Sequence, residues 1–369
     1  MSTPLKESIR HEFQFVFYPR APVYPDLWRC PLMGLLRFFL ASLVLLSHMG
    51  ISIAGLNPGV SAVIVFYMLA GHVVSQLWTR RPLHGSYQWF YQDRLWRIVP
   101  LYLFALALAI ALWGFGARSY FISSSPELSD WLANLLIIPL NYYMYTGQDT
   151  FTLLPPTWSL GVELQFYLLV PFLLNRPRFA VGAALLSFAV FALAQCGVLN
   201  TDVFGYRLLA GVGFVFLAGT LLGKADRLSQ GGLALLWLCS VIYVTWLVSG
   251  EHHLPYNTEV ALGVVLGLPL LVVFQRFPRQ GLWQTLQRRA GELSYGVFLL
   301  HFPCIWLLEM LGFTGPSTAW MVFVLSALLA WLAHATVERP LWKKFRLKLP
   351  TTPTDTALVG RQKKFRGGR

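Results

Sequence analysis

The sequence has few charged residues for its length. Only 12% of its 369 residues are Asp, Glu, Lys or Arg, whereas a typical soluble domain carries about 25%. A further 56% are hydrophobic, and disordered chains have low hydrophobicity. This composition excludes both an ordinary soluble enzyme and an intrinsically disordered chain.

Cysteine is scarce, and acidic residues are outnumbered by basic ones. Four cysteines are too few for a disulfide framework, and their spacing is not that of a metal site, so no metal is expected. The net charge is +13, which a nucleic-acid-binding surface would give. Basic loops of a membrane protein would give the same charge. No repeat of 20 to 50 residues indicates a solenoid, and residues 1–30 lack the apolar core of a cleavable signal peptide.

Long apolar runs decide the fold class. A helix that crosses a bilayer needs about 20 mostly apolar residues, and ten runs come close to that length. We therefore predict an all-α polytopic membrane protein with about ten transmembrane helices. The predicted spans are 34–53, 58–78, 99–117, 158–174, 180–196, 206–222, 232–248, 258–275, 293–312 and 319–337.

Three regions follow from these spans. Residues 1–33 form a cytoplasmic N-terminal segment, residues 34–340 a membrane domain, and residues 341–369 a basic cytoplasmic tail. The tail is predicted to be disordered and to lie against anionic headgroups. The stretch 131–145 is shorter and rich in Asn and Tyr, so we predict an interfacial or re-entrant segment.

The basic residues predict the orientation of the bundle. Lys and Arg accumulate in cytoplasmic loops. With the N-terminus inside, 27 of the 29 basic residues fall on the cytoplasmic side, and only Arg118 and Arg207 fall outside. Both termini are therefore expected in the cytoplasm, and the net charge needs no nucleic acid. The protein is expected to be multi-pass in the plasma membrane or the cell inner membrane.

Ionisable residues inside a membrane are costly and mark function by default. Arg37 and His48 share the first predicted helix and are 11 residues apart, which is close to three turns and about 16 Å along the axis. They should project from nearly the same face. Arg37 could also be a snorkelling anchor, and His48 a hydrogen-bonded packing residue. Both readings remain open from the sequence.

Three further residues carry charge or a titratable ring. Glu163 lies about 7–8 Å into the fourth helix from its outer end, a depth similar to that of His48, so the two side chains are predicted to meet. Glu163 could instead bond only to backbone or to a Tyr. His301 lies nearer mid-membrane in the ninth helix, and Glu338 is expected to pair locally with Arg339.

Arg94 and Arg97 are three residues apart and share a face if they begin the third helix. Two guanidiniums beside a helix N-terminus form a plausible phosphate site. Pro100 is tolerated in a first helical turn. The alternative is simple positive-inside anchoring.

These residues carry a family resemblance. The chain resembles the acyltransferase-3 family of integral membrane O-acyltransferases over residues 34–340. The matching motifs, in family order, are the Arg37-to-His48 spacing, Phe66–Gly71, Arg94-x-x-Arg97 with Pro100 and Tyr102, Trp158–Tyr167, Ser294-Tyr295 with His301 and Pro303, and Glu338-Arg339-Pro340. The chain departs from the usual family residues at Ala70, His72 and Leu164.

The resemblance implies a ten-helix domain that uses cytoplasmic acyl-CoA, often acetyl-CoA, as donor substrate, with no permanently bound cofactor. The usual acceptors are hydroxyls of sugars in bacterial surface polysaccharides, and sometimes lipids or secondary metabolites. On the matching positions it implies catalytic roles for His48, Glu163 and Arg37 and donor contacts for Arg94, Arg97 and Tyr102. Further candidates are His301, Ser159 and Trp158.

Physical reasoning supports the same chemistry. Acyl transfer to a hydroxyl needs a positioned base, and His is the usual choice. Expected partners are therefore acyl-CoA, a glycan or lipid-linked sugar and membrane lipids, and no nucleic acid. A different class remains open, a transporter or flippase in which His48, Glu163 and His301 relay protons. Against it, no paired helices interrupted by Gly or Pro occur in matching halves. A membrane scaffold fits the clustered polar residues less well.

Overall fold

The computed structural model describes residues 33–81, 86–122, 125–250, 253–276 and 281–345. The predicted N-terminal segment, except Met33, and residues 346–369 of the predicted tail lie outside these ranges. The helices, numbered in chain order, are α1 Gly34–His48, α2 Pro58–Thr79, α3 Ser86–Gly114, α4 Leu128–Leu136, α5 Tyr143–Thr146, α6 Thr157–Asn175, α7 Pro177–Gln195, α8 Leu209–Leu221, α9 Arg227–Ser249, α10 Asn257–Arg276, α11 Gly281–Met310, α12 Ala319–Ala333 and α13 Arg339–Phe345.

Nine helical segments in the described part of the chain are long and apolar enough to cross a membrane. Two of them include a π-helical turn, Val203–Arg207 before α8 and His334–Glu338 after α12. The remaining predicted span, 34–53, corresponds to α1, which has 15 residues and ends at His48 rather than at residue 53. The predicted all-α polytopic fold is therefore confirmed.

Two helices begin well before their predicted spans. Helix α3 begins at Ser86 and α11 at Gly281, whereas the predicted spans began at 99 and 293. A helix can continue beyond the hydrocarbon layer, where hydropathy no longer reports it. As a result, Pro100 lies inside α3 and not in its first turn. Helix α13 extends to Phe345, so residues 341–345 of the tail that was predicted to be disordered are helical.

Helix ends that were predicted to share a membrane side do contact each other. At one side, the indole of Trp78 donates to the side chain of Asn175 (3.2 Å) at the end of α6, and the Leu35 amide donates to Gln287 (3.0 Å). At the other side, the amide of Asn57 donates to Glu259 (3.2 Å). Successive helix ends therefore alternate between two sides of the bundle, as they do in a protein that crosses a membrane repeatedly.

Small residues allow the central helices to approach closely. A Cβ atom added to Gly219 of α8 would lie 1.9 Å from the carbonyl oxygen of Met68, and one added to Gly71 of α2 would lie 1.9 Å from that of Phe216. Membrane helices use such small residues because no hydrophobic effect drives them together within lipid. Glycine at both positions therefore sets the crossing of α2 and α8, beside the site described below.

The segment 128–146 lies against α6 and presents an apolar face outward. The Asn141 side chain donates to the carbonyl of Arg207 (2.9 Å) and accepts from Gln165 (2.9 Å). The leucines of α4 at 132, 135 and 136 are exposed. An apolar outer face on a short helix is typical of an element at a membrane surface; the interfacial or re-entrant location of 131–145 stays a prediction.

Candidate active site

A cavity lies between α1, α2, α3, α6 and α11. It encloses about 900 Å³ of empty space, including the open space at its mouth. The polar side chains in its wall come from all five helices: Arg37, Tyr67, Arg94, Arg97, Ser159, Glu163, Tyr167, Ser294 and Tyr295. The remaining lining is apolar, so a few polar groups converge in a mostly hydrophobic space. This is the usual character of a small-molecule site.

Three arginines line this cavity. Arg37 comes from α1, and Arg94 and Arg97 come from α3. The two α3 arginines lie two to three turns inside the helix, so the predicted help from a helix N-terminus is wrong. They still precede the apolar part of α3, which starts at Ile98, and therefore remain at the rim of the predicted span.

Both α3 arginines already have carboxylate partners. Arg94 pairs with Asp93, and Arg97 pairs with Glu338. The carboxylate of Glu338 is 4% exposed and also accepts from His334 (2.9 Å). The predicted local pairing of Glu338 with Arg339 is therefore wrong. The longer-range pair forms because the π-helical turn His334–Glu338 brings the carboxylate to α3. Its effect is to fix the Arg97 guanidinium at the cavity wall.

Glu163 faces the arginines rather than His48. Its carboxylate accepts a hydrogen bond from Tyr167, one turn further along α6, and it lines the cavity together with Arg37. The predicted meeting of Glu163 with His48 is wrong. Equal depth did not make the two side chains point toward each other, since depth says nothing about rotation around the helix axis.

His48 pairs with the other candidate histidine. The His48 and His301 rings stack with centroids 5.3 Å apart and an interplanar angle of 24°, and Phe302 contacts the His48 ring edge-on at 4.9 Å. His48 is exposed at the end of α1, whereas His301 is fully buried. The pair lies one turn of α11 beyond Phe298, which lines the cavity.

The hydrogen bonding of His301 assigns its ring proton to one nitrogen. Its Nδ1 lies 3.2 Å from the carbonyl of Val297, and a carbonyl only accepts, so Nδ1 carries the proton. The Nε2 atom is buried and has no hydrogen-bond partner among the described residues. His301 is thus held by the backbone and offers a flat ring that sets the orientation of His48.

The remaining predicted site residues divide into two groups. Ser159 lines the cavity, and its hydroxyl donates to the carbonyl of Pro156 (2.9 Å). Tyr102 is buried and donates to the carbonyl of Asn134, so it joins α3 to α4 and does not reach the cavity. Trp158 contacts Tyr206 edge-on at 5.0 Å, next to the cavity but outside its lining.

A family profile described as an acyltransferase domain matches residues 33–335. The chain belongs to the acyltransferase-3 family. It is therefore an acyltransferase, and its helices make it a multi-pass membrane protein. The sequence resemblance is confirmed over nearly the whole described membrane domain.

Named relatives agree with this assignment. Nodulation protein 10 of Rhizobium leguminosarum bv. viciae is 27% identical over 84% of this chain and 92% of its own length. The exopolysaccharide production protein ExoZ of Rhizobium meliloti is 25% identical over 79% of this chain and 92% of its own. The peptidoglycan O-acetyltransferase OatA of Listeria monocytogenes is 24% identical over 84% of this chain, which spans about half of OatA. No solved structure is significantly similar.

Several residues of this acyltransferase were not found by sequence reasoning. Tyr67, Ser294 and Tyr295 line the cavity, and the hydroxyl of Tyr67 is buried with no hydrogen-bond partner in the described ranges. Tyr67 and the Ser294-Tyr295 pair belong to motifs that carried the resemblance, so their presence was visible but their inward direction was not. The described residues include no cluster of three or more His, Cys, Asp or Glu able to hold a metal.

Proposed function

We propose that this protein is an O-acyltransferase that moves an acyl group, most simply acetyl, from cytoplasmic acyl-CoA to a hydroxyl of a cell-surface polysaccharide or lipid-linked sugar. It acts in the plasma membrane or the cell inner membrane, with both termini in the cytoplasm. Relatives named for exopolysaccharide production and for peptidoglycan O-acetylation support a glycan acceptor. The family assignment supports the transfer chemistry.

The observation that carries this proposal is the arrangement of the cavity. Its wall contains the three arginines at the rim of the predicted span, and its far part reaches Phe298, one turn from the stacked histidines. Along α1 alone, Arg37 and His48 are separated by about 16 Å. An extended pantetheine arm covers that distance, so phosphates near the arginines would leave the thioester near His48.

The proposed chemistry uses His48 as general base. His48 takes the proton from the acceptor hydroxyl as its oxygen attacks the thioester carbonyl carbon. A new C–O bond forms, the C–S bond breaks, and the CoA thiolate leaves and is protonated by the imidazolium. The products are the O-acyl ester and free CoA thiol. His301 holds the ring of His48 in place, which is the usual task of a third group beside a base.

Glu163 has a different role from the one the sequence suggested. In the cavity it lies with three arginines, and its bond from Tyr167 fixes its direction. We assign it to balancing and orienting the arginines that hold the donor. Arg94 and Arg97 contact donor phosphate or carbonyl oxygens, for which the planar guanidinium is suited. We assign Tyr102 to joining α3 to α4 rather than to the donor, because its hydroxyl donates to the carbonyl of Asn134.

The experiment that tests this function is acyl transfer in membranes. Vesicles that contain the protein are supplied with radiolabelled acetyl-CoA, and label is counted in free acetate and in surface polymer. In parallel, mass spectrometry compares O-acyl esters on surface glycans from cells with and without the gene. We expect polymer label and esters only with the gene. Label in lipid instead of polymer would show that the acceptor is a lipid and not a glycan. Proton-coupled transport without consumption of acetyl-CoA would overturn the proposal.

The orientation has its own test. A reporter fused after Asp149 should be external, and reporters fused after Arg81 or at the C-terminus should be internal, because 27 of 29 basic residues then face the cytoplasm. An external C-terminus would contradict access of cytoplasmic acyl-CoA to the arginines.

A further inference from the structure

One of the two arginines on the predicted outer side is surrounded by aromatic rings. The guanidinium of Arg207 lies over the rings of Trp158 (4.6 Å to the centroid), Tyr206 (5.2 Å) and Tyr143 (5.4 Å). Its Nε donates to the carboxylate of Asp202 (2.8 Å). These five residues, Tyr143, Trp158, Asp202, Tyr206 and Arg207, are called the Arg207 cluster.

Arg207 is held firmly at its backbone and at Nε, yet it keeps two donor groups available. Its carbonyl accepts from Asn141 (2.9 Å), and it ends the π-helical turn Val203–Arg207. Such turns occur frequently at functional sites. Within the described part of the chain, neither Nη nitrogen has a hydrogen-bond partner. The side chain is 14% exposed, and neither Nη is among the buried polar atoms that lack a partner, so both donors remain accessible.

The Arg207 cluster adjoins both the cavity and the proposed base. Trp158 directly precedes Ser159, which lines the cavity. The charge of Arg207 also lies close enough to act on His48 and on the cavity residue Tyr67. A molecule held at the cluster from the outer side would therefore lie next to the cavity wall and within electrostatic range of His48.

The chemistry of the cluster suits a neutral sugar. Two Nη donors beside a carboxylate acceptor match the hydroxyl groups of a pyranose, which both donate and accept. Burial raises the pKa of the Tyr143 hydroxyl, so that group stays protonated at neutral pH and can donate. Asp202 balances the charge of Arg207 and disfavours an anionic ligand such as a phosphate. Aromatic edges around the guanidinium supply apolar contact for the C–H faces of the ring.

We propose that the Arg207 cluster is the subsite that binds a sugar ring of the acceptor and presents its hydroxyl to His48. The inference rests on the proposed function, since it names where that function's acceptor binds. Arg207 is one of the two basic residues that the orientation places outside, and the inference gives it a role there, in acceptor binding.

The test separates acceptor binding from donor chemistry in one assay. Membrane vesicles with wild-type or variant protein receive radiolabelled acetyl-CoA, and label is partitioned between surface polymer and free acetate. For Arg207→Ala we expect the ratio of polymer label to acetate to fall at least tenfold, because the acceptor no longer competes with water. The matched control is Arg118→Ala, the other outer arginine, whose Nη1 donates, within the described ranges, only to the backbone carbonyls of Trp113 and Ala117. Its ratio should equal the wild-type ratio.

The remaining outcomes of this test also decide whether the subsite exists. An unchanged ratio in Arg207→Ala, or complete loss of acetyl-CoA consumption in that variant, would overturn the subsite. Should Arg207→Ala fail to accumulate as folded protein, Arg207→Lys keeps the charge without the planar fork and should lower the ratio severalfold; an unchanged ratio there would also overturn it. Failure of the proposed function itself would give a different result: wild-type vesicles would consume acetyl-CoA no faster than vesicles with a His48 variant.

Discussion

The buried pair between Arg97 and Glu338 offers a quantitative test of the site's architecture. Glu338 is 4% exposed and Arg97 is 27% exposed at their side chains. Removing one partner of a buried pair typically costs about 3–5 kcal/mol, because an uncompensated charge remains. For Glu338→Ala the remaining charge is that of Arg97, which can rehydrate in part. We therefore expect the lower end, about 3 kcal/mol.

A double-mutant cycle isolates the interaction itself. The variants are Glu338→Ala, Arg97→Met and the double variant, and the assay is the free energy of unfolding in mixed detergent micelles. We expect a coupling energy of about 1.5–3 kcal/mol, within the range for residues in direct contact. Arg288→Ala is the control, because its pair with Glu292 is longer, at 3.9 Å, and neither side chain in it is buried; surface pairs contribute about 0–1 kcal/mol.

The cycle also bears on function. If Glu338 fixes Arg97 for the donor, Glu338→Ala should raise the KM for acetyl-CoA more than it lowers kcat. A coupling energy below about 0.5 kcal/mol, the usual limit of additivity, would show that the pair does not hold α3 to the turn His334–Glu338. The assignment of Glu338 as the group that positions Arg97 would then be wrong.

Three further predictions concern packing and the cavity wall. Gly219→Ala should destabilise the fold by about 1–3 kcal/mol, since its Cβ would lie 1.9 Å from the Met68 carbonyl oxygen. The control Gly182→Ala has nothing within 4 Å of its Cβ and should stabilise the fold by up to about 1 kcal/mol. Equal effects of the two variants in an unfolding titration would contradict the close crossing of α2 and α8. Arg94→Ala should weaken acetyl-CoA binding by about 1.5–3 kcal/mol, measured by titration, and unchanged affinity would reduce Arg94 to an anchor. Tyr67→Phe removes a hydroxyl without a partner in the described ranges, so stability should not fall; a loss above about 1 kcal/mol would reveal a missing partner.

The sequence predicted the helices well because hydropathy reports burial in lipid directly. All ten spans coincide with helices, and the errors lie at their ends, in α1, α3 and α11. The N-terminal parts of α3 and α11 are polar, so a hydropathy criterion could not include them. The acyl-transfer class also followed from the sequence, through motifs that are individually weak but occur in one order.

Side-chain partners were predicted less well, because they depend on the rotation and neighbourhood of each helix. Depth placed Glu163 near His48, yet Glu163 bonds to Tyr167 and His48 stacks on His301. The histidine pair follows from the register of α1 against α11, which the sequence alone does not show. Gly34 contacts Gln287, and from those positions His48 and His301 are each 14 residues further along parallel helices, about 21 Å by helix rise.

The central claim is that His48 is the base that activates the acceptor, and His48→Gln tests it most directly. Glutamine keeps the size and some hydrogen bonding of the side chain but cannot take up the proton. The measurement is turnover of radiolabelled acetyl-CoA by purified protein in lipid, together with the Kd for CoA. We predict that turnover falls about 10²–10⁴-fold while the Kd stays within about twofold of wild type. Near-normal turnover would move the base elsewhere, first to His301, and loss of CoA binding would place His48 in the donor path.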